Sequence, residues 1–349
     1  MRPSYGVQAH LGSRTAGIPN GPYRRESLKK SEDLPTPVIR ADGLGMRFGV
    51  PAPPVLDMVS FQVSKGEVFG VLGARGAGKT TLTRILAALE RPTAGTATIA
   101  GHDVVLDGGS LRAIVGYLPQ FPPTPRGWTV GKYLGFWAAV EGMSRSKRRE
   151  RVAEIVKTVG LEETATRAIH ECTTQEQRRM FLGLVLLNDP PVLLLDEPME
   201  GIAPGERDAL QGILRSPEVR GKTIFIVSSR LGDLHPICHR VMVLSGGRAT
   251  RAFDTGALLT AVGDAHHARV FVRTRAPHAD VLPMVRNFPG VVDVKDTEPA
   301  VILFVDSGRF RRMDLERALA EAAVPIDALS EADIALADVV RTLTRWQDH

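Results

Sequence analysis

One octapeptide constrains the fold of this chain more than any other feature of its sequence. Gly73-Ala-Arg-Gly-Ala-Gly-Lys-Thr80 fits the pattern G-x-x-x-x-G-K-[ST], in which glycines let successive backbone N–H groups surround a phosphate chain. The apolar run Val68–Leu72 before it predicts a buried strand, and Thr80–Leu89 after it predicts a helix whose N-terminus faces the phosphates. Strand, loop and helix in this order predict a nucleotide site in an α/β domain.

A second apolar run supplies the carboxylates that such a site requires. Val192–Leu195 is followed directly by Asp196 and Glu197. We expect Asp196 and the Thr80 hydroxyl to hold Mg²⁺, and Lys79 to contact the β- and γ-phosphates of a nucleotide. Glu197 is expected to orient or deprotonate the attacking water. The predicted nucleotide-binding residues of the loop are Gly73, Ala74, Arg75, Gly76, Ala77, Gly78, Lys79, Thr80 and Thr81.

The composition and hydrophobic pattern along the chain predict three segments. Residues 1–36 are rich in Gly, Pro, Ser and Arg without periodicity, and this composition predicts a disordered tail. Residues 37–259 alternate short apolar runs with helical patterns such as Arg145–Val159 and Glu176–Leu187, which predicts the nucleotide-binding α/β domain. Residues 265–349 contain a β-α-β-β-α-β series, which predicts a small ferredoxin-like α+β domain. The predicted strands of that series are Ala268–Thr274, Val291–Val294, Ala300–Val305 and Ile326–Leu329, its helices are Ala279–Asn287 and Arg311–Ala323, and a last helix, Leu336–Trp346, follows it.

Composition excludes several classes of protein. With 349 residues and 43% hydrophobic content, the chain has ample apolar material for a core and is not wholly disordered. A net charge of +5 is mild, and without a basic stripe interleaved with aromatic residues it does not favour nucleic-acid binding. Cys172 and Cys238 are too few for a disulfide framework and predict buried, reduced thiols. No run reaches the roughly 18 to 20 apolar residues that a membrane-spanning helix needs.

The order of these motifs resembles the ATP-binding subunits of ABC transporters, and most closely those of ABC-2-type exporters of the daunorubicin-resistance and nodulation kind. The resemblance extends from about Ile39 to Ala252. Arg47-Phe48-Gly49 is similar to the adenine-stacking loop of the family, which implies that Phe48 lies under the base; the alternative is a core aromatic. Gly116-Tyr-Leu-Pro-Gln120 is similar to the Q-loop, which implies that Gln120 links Mg²⁺ and the water to a helical subdomain at about 121–187; the alternative is an ordinary loop polar residue.

Three motifs depart from the family pattern. Cys172-Thr-Thr-Gln-Glu176 stands where the family has its Leu-Ser-Gly-Gly-Gln signature, so Thr174 and Gln175 carry Cβ atoms where close backbone approach is needed. Ala203 stands where the D-loop has Asp, and Arg230 where the family has its switch histidine. Arginine can contact a γ-phosphate, but it cannot serve as a neutral linker between phosphate and water. By resemblance, Thr80, Gln120 and Asp196 are the metal ligands, and Glu197, Gln120 and Arg230 occupy the catalytic positions. Each departure has a milder alternative: an unusual but working variant, or a register shifted by a residue.

The resemblance implies a P-loop NTPase fold and an ATP-binding subunit that docks on a separate membrane permease of an exporter, at the cytoplasmic face of the membrane. Two such subunits, identical or different, would close head to tail on ATP, and hydrolysis would reopen them. Because the phosphate loop and Asp196-Glu197 are intact while three motifs are changed, we expect an ATPase of low intrinsic activity. The alternative is a catalytically impaired, ATP-sensing regulatory or scaffold subunit that pairs with an active homologue.

Overall fold

A computed structural model describes residues 37–49, 52–258, 268–297, 300–305 and 310–332. The predicted tail at 1–36 and the predicted helix Leu336–Trp346 lie outside these described residues. The strands are β1 (Pro37–Met46), β2 (Leu56–Ser64), β3 (Val68–Leu72), β4 (Ala94–Ile99), β5 (His102–Asp103), β6 (Val115–Leu118), β7 (Val192–Asp196), β8 (Thr223–Ser228), β9 (Arg240–Ser245), β10 (Arg248–Ala249), β11 (Phe253–Asp254), β12 (Ala268–Thr274), β13 (Val291–Thr297), β14 (Ala300–Val305) and β15 (Ile326–Ala332). The helices are α1 (Lys79–Leu86), α2 (Gly108–Ile114), α3 (Val130–Val140), α4 (Arg145–Thr158), α5 (Thr174–Leu186), α6 (Arg207–Leu214), α7 (Leu231–Leu234), α8 (His278–Arg286) and α9 (Arg312–Glu321).

The central sheet is mainly parallel and carries the phosphate loop on one of its inner strands. Its order is β10-β9-β3-β8-β7-β6, and β11 pairs with β9. The four pairs among β9, β3, β8, β7 and β6 are parallel. In β7, Leu193 and Leu195 pack with helices α3 to α5, whereas Val192 and Leu194 pack on the opposite face with α1 and with residues of β1, β2 and β4. Burial on both faces explains why this strand is a continuous apolar run.

A second, antiparallel sheet has the order β2-β1-β4-β5. Its inward side chains share a core with the central sheet, where the rings of Phe61, Phe69 and Phe225 stack with centroids 5.5–6.1 Å apart. This packing positions β3, and the phosphate loop begins directly after the last residue of that strand. The free cysteines Cys172 and Cys238 are both buried, as predicted.

Two helix ends among residues 37–258 differ from the predicted ones by more than one residue, and each has a local cause. Helix α1 ends at Leu86 and not at Leu89, because Ala88 adopts a positive φ of 56°. The Leu89 amide donates to Arg84 O and the Ala88 amide to Ile85 O, the two bonds of a Schellman motif, which glycine usually closes. Helix α5 begins two residues earlier than predicted, at Thr174, because Thr173 caps it.

The third sheet is antiparallel, with the order β13-β14-β12-β15, and its elements follow the series β-α-β-β-α-β. Valines of β12 and β14 pack against the two helices of the series, with Val281 on α8 and Leu315 on α9 in a separate apolar cluster. The observed elements start and end within three residues of the predicted ones. Such a sheet has its own core and contributes no residue to the cavity described next.

Candidate functional site

The loop between β3 and α1 has a backbone that only glycine tolerates at two positions. A Cβ on Gly73 would lie 2.6 Å from the carbonyl oxygen of Leu244, and one on Gly78 would lie 2.7 Å from that of Val55. Gly78 also has a φ of 100°. The Gly78 carbonyl accepts the first helical hydrogen bond, from the Leu82 amide at 2.9 Å. The loop is therefore held closely by its neighbours, with the N-terminus of α1 at its end.

Lys79 is the buried cation of this loop, with 5% of its surface exposed. Its Nζ donates to the carbonyl oxygens of Gly73 at 2.6 Å and Ala74 at 2.9 Å, and lies 3.1 Å from Glu197 Oε1. The ammonium group is thus curled back over the loop and paired with a carboxylate. A phosphate group is the kind of ligand that can replace that carboxylate as its counter-charge.

Thr80 and Asp196 form a pair of hard oxygen donors. The Thr80 hydroxyl donates to Asp196 Oδ1 at 3.3 Å, and Asp196 is fully buried. Burial raises the pKa of Asp196 to about 6, against a hydrogen bond from Thr80 that lowers it. Its second oxygen, Oδ2, accepts no hydrogen bond from any described residue. An unpartnered buried carboxylate oxygen beside a hydroxyl fits a Mg²⁺ ion, which prefers such ligands.

Glu197 is oriented by the next strand of the sheet. It has a φ of 47°, and its amide donates to Val227 O at 3.0 Å. The Ser229 amide, at the end of β8, donates to Glu197 Oε2 at 3.1 Å. Because β7 and β8 are neighbours, the end of one strand fixes the carboxylate that follows the other. The carboxylate can accept a proton from a water in the cavity.

Lys79, Thr80 and Glu197 face a cavity of about 350 Å³, whereas Asp196, which contacts Thr80, is not among its lining residues. The cavity is lined by Val55, Arg75, Gly76, Gly78, Lys79, Thr80, Thr81, Gln120, Phe121 and Glu197. The structure thus brings Gln120 to the loop, as the sequence predicts. Val55 and Phe121 were not among the predicted site residues. The position of Phe121 directly after Gln120 is the signal that could have identified it, whereas Val55 is brought in only by packing beside Gly78.

Phe48 and Arg230, both predicted site residues, are not among the residues that line this cavity. Phe48 is 54% exposed in the loop after β1. Arg230 is exposed at the start of α7, with its amide bonded to Ser228 Oγ at 3.1 Å. Behind it, Asp233 accepts from the Ser228 hydroxyl at 2.7 Å and pairs with the buried Arg207. This buried network fixes the end of β8, where Ser229 contacts Glu197.

The turn 172–176 is satisfied within its own chain. The Thr173 hydroxyl accepts from the Glu176 amide at 3.1 Å, and the Glu176 carboxylate accepts from the Thr173 amide at 2.8 Å. This capping box closes the N-terminus of α5. That hydrogen bond from the Thr173 backbone is the main reason why the pKa of Glu176 is lowered. The Gln175 amide group donates to Glu206 O at 2.8 Å.

Thr174 and Gln175 adopt helical backbone conformations and neither has a positive φ. Their Cβ atoms therefore cause no backbone strain within the chain. A Cβ on Gly201 would lie 3.5 Å from the Thr174 methyl group, so the turn lies against the loop that follows Glu197. In that loop, Glu200 forms an ion pair with Arg75 of the phosphate loop. The turn, this loop and the phosphate loop are consequently neighbours in one chain.

Within the described ranges, none of the helices combines the length and the apolar character that crossing a membrane demands.

Residues 56–200 match the family model described as "ABC transporter". Nod factor export ATP-binding protein I of Paraburkholderia xenovorans is 34% identical over 226 residues, which are 65% of this chain and 74% of that protein. The protein of the same name from Burkholderia orbicola is 37% identical over 194 residues, 56% of this chain and 64% of its own length. The chain therefore spans less than two thirds of some of the relatives that it matches.

Solved structures have the same fold. The chain is similar to cbiO1 from Clostridium perfringens, part of the ABC transporter complex cbiONQ, with a TM-score of 0.59 and 23% identity over 64% of this chain and 91% of that one. A dimeric ATP-binding cassette bound to ADP and Pi gives a TM-score of 0.54 and 22% identity over 62% of this chain and 98% of that one. At these identities the likeness supports the α/β architecture of the nucleotide-binding part alone.

Proposed function

The chain belongs to the ABC transporter family of ATP-binding proteins, and we propose that it binds and hydrolyses Mg·ATP to drive export through a separate membrane permease. The single observation that carries this proposal is the convergence of Lys79, Thr80 and Glu197 on one cavity, with the buried Asp196 in contact with Thr80. These four side chains come from two segments more than a hundred residues apart. Their chemistry is that of phosphate binding, metal binding and water activation.

Each residue has a distinct part in the proposed reaction. Lys79 exchanges Glu197 for the β- and γ-phosphates, and the loop amides and the N-terminus of α1 hold the phosphate chain. Thr80, Asp196 and Gln120 hold Mg²⁺, which supplies charge neutralisation of the phosphates when it is bound. Glu197, released from Lys79 and still held by Ser229, orients the attacking water and accepts its proton. Phe48 stacks on the adenine.

The transport part of the proposal rests on the relatives. They are named Nod factor export ATP-binding proteins, and by analogy this chain serves an exporter. We propose that it lies at the cytoplasmic face of the membrane, as a peripheral subunit on a permease formed by another chain. Residues 37–259 form the ATP-binding domain, with a helical subdomain near 121–187, and residues 265–349 form a second domain.

Weakened hydrolysis is the finer part of the proposal. Two subunits close head to tail, so that the turn 172–176 of one faces the phosphate loop of the other. The Thr173 hydroxyl already caps α5, and the Gln175 side chain donates to Glu206 O. Because both groups have partners within the chain, we expect the turn to contact a γ-phosphate poorly. Ala203 lacks the D-loop carboxylate, and Arg230 cannot replace a neutral histidine. A regulatory subunit that pairs with an active homologue is the second candidate, favoured by these same closed contacts.

Titration of labelled ATP with Mg²⁺ tests the binding site. Lys79→Ala is expected to weaken ATP binding at least tenfold, because it removes the cation that contacts two phosphates. Lys222→Ala is the matched control, since Lys222 is also a largely buried lysine paired with a carboxylate, Asp189. Equal affinities of wild type and Lys79→Ala would contradict the assignment. A large rise in phosphate release on adding a homologous subunit would favour the regulatory candidate.

A further inference from the structure

Arg75 is the third residue of the phosphate loop and faces the same cavity as Lys79 and Glu197. Its side chain is 79% exposed, so little packing holds it in one position. A Cβ added to the adjacent Gly76 would meet nothing within 4 Å, which shows that this part of the loop is open. In this structure the guanidinium group is held by an ion pair with Glu200.

The partner of Arg75 places its guanidinium near the reacting end of the nucleotide. Glu200 lies in the same turn as Glu197, because the Glu200 amide donates to Glu197 O at 3.0 Å. If Glu197 activates water at the terminal phosphate, as the proposed function requires, then the Arg75 head group is held on the γ-phosphate side of the cavity. The remaining phosphates lie toward the loop amides and α1.

Glu200 is not left without a counter-charge when Arg75 moves. Arg178, on α5, is 7% exposed, and its Nη1 donates no hydrogen bond to any described residue. The carboxylates of Glu200, Asp196 and Glu197 act on Arg178 and oppose the lowering of its pKa by burial. Exposed ion pairs contribute little to stability, so exchanging one for a phosphate contact is easy. An arginine can then hold two phosphate oxygens at once.

We propose that Arg75 is an ATP-selective switch, which pairs with Glu200 when no γ-phosphate is present and contacts the γ-phosphate of ATP when one is bound. The inference rests on the proposed function. Arg75 would then supply a second cation from the phosphate loop to the γ-phosphate. The turn 172–176 of a partner subunit is proposed to contact that same phosphate only poorly.

The test compares the affinities of the full-length chain for Mg²⁺ with the β,γ-imido analogue of ATP and for Mg·ADP. Arg75→Ala is expected to weaken binding of the analogue about tenfold, the size of one charge-assisted contact, and to leave ADP binding unchanged. The affinity of Arg75→Lys for the analogue is expected to lie between those of wild type and Arg75→Ala, because lysine keeps the charge but cannot make two parallel hydrogen bonds to the phosphate. Glu200→Gln, which releases Arg75, is expected to tighten binding of the analogue alone. Arg275→Ala, which breaks a similarly exposed ion pair with Asp327, is the matched control and should change neither affinity.

A pair that only braces the loop predicts another result. Arg75→Ala and Glu200→Gln would then change both affinities equally, or neither, and the switch would be refuted while Lys79→Ala still abolished binding. If Lys79→Ala leaves both affinities unchanged, the proposed function fails first. Sedimentation at the same protein concentration, with each nucleotide, ensures that a change of oligomeric state is not read as a change of affinity.

Discussion

The phosphate loop and the turn 172–176 satisfy their polar groups in opposite ways. In the loop, Lys79 and Arg75 are held by Glu197 and Glu200, and these are ion pairs that a phosphate can displace. In the turn, the groups that could reach outward are bonded to the chain's own backbone through the capping box with Glu176. A helix N-terminus that carries a carboxylate of its own has already neutralised part of its dipole.

This difference shows where stability and ligand binding compete. The turn gains stability because its groups are satisfied internally, and to that extent it offers less to a ligand or to a second subunit. Beside the loop, Asp196 at the end of β7 is fully buried with one oxygen unpartnered among the described residues, an arrangement that is unfavourable until a metal ion binds. The four predictions below test this contrast.

Removing the carboxylate proposed to activate water is expected to have the largest effect. Glu197→Gln should lower steady-state phosphate release by about a hundredfold or more, because it removes the general base. ATP binding should persist or tighten, since Lys79 loses the anion that competes with phosphate. Glu90→Gln, which alters the ion pair with Arg84 at the far end of α1, is the control and should leave turnover unchanged. If Glu197→Gln released phosphate at the wild-type rate, Glu197 would not be part of a hydrolytic site, and the contrast between the phosphate loop and the turn would not hold.

Opening the turn is expected to raise turnover. Replacing Thr174 and Gln175 together by Gly should increase phosphate release about tenfold or more, because it allows the close backbone approach that the Cβ atoms obstruct. Gln175→Ala alone is the control. It breaks the bond to Glu206 O but keeps a Cβ, so it should give only a small part of that increase. A full gain in the alanine variant would locate the obstruction in the side chain and not at the backbone.

The buried carboxylate of Asp196 is expected to make the free energy of unfolding depend on pH. Burial raises the pKa of Asp196 from 3.8 to about 6, so its contribution to stability is fully present below 3.8 and is lost as the pH rises through 6. Without Mg²⁺ or nucleotide, the Asp196→Asn variant should therefore gain on wild type by about 1 kcal/mol between roughly pH 5 and pH 7.5. Urea unfolding of both proteins measures this difference. A constant difference at both pH values would contradict the raised pKa.

Deleting the third sheet is expected to have the smallest effect. A chain that ends near Leu259 retains both the loop and the turn, and each of its two larger apolar clusters lies wholly before that point. It should fold and bind ATP within about twofold of the full-length affinity. Circular dichroism and the ATP titration check the two statements. Loss of binding in the folded, truncated chain would show that the two regions are not independent of residues 265–349.

The local motifs were predictable because each is a short segment whose residue types suit only a few conformations. The strand, loop and helix around Gly73–Thr80 are found within three residues of their predicted limits. The capping box at Thr173 could also have been predicted from the sequence, because Thr followed three residues later by Glu is its usual signature. The end of α1 was not readable, because alanine occupies the position of positive φ that glycine normally marks.

The sequence by itself predicted the phosphate-loop and carboxylate motifs and determined to which family the chain belongs, because such motifs depend on residue types at fixed short spacings. Only the tertiary structure decided how the charges pair. The contacts of Lys79 with Glu197 and of Arg75 with Glu200 join segments more than a hundred residues apart, and their formation depends on only one strand, β8, lying between β3 and β7 in the sheet. The same holds for Asp196, whose raised pKa is a consequence of burial between strands and helices that no local pattern records.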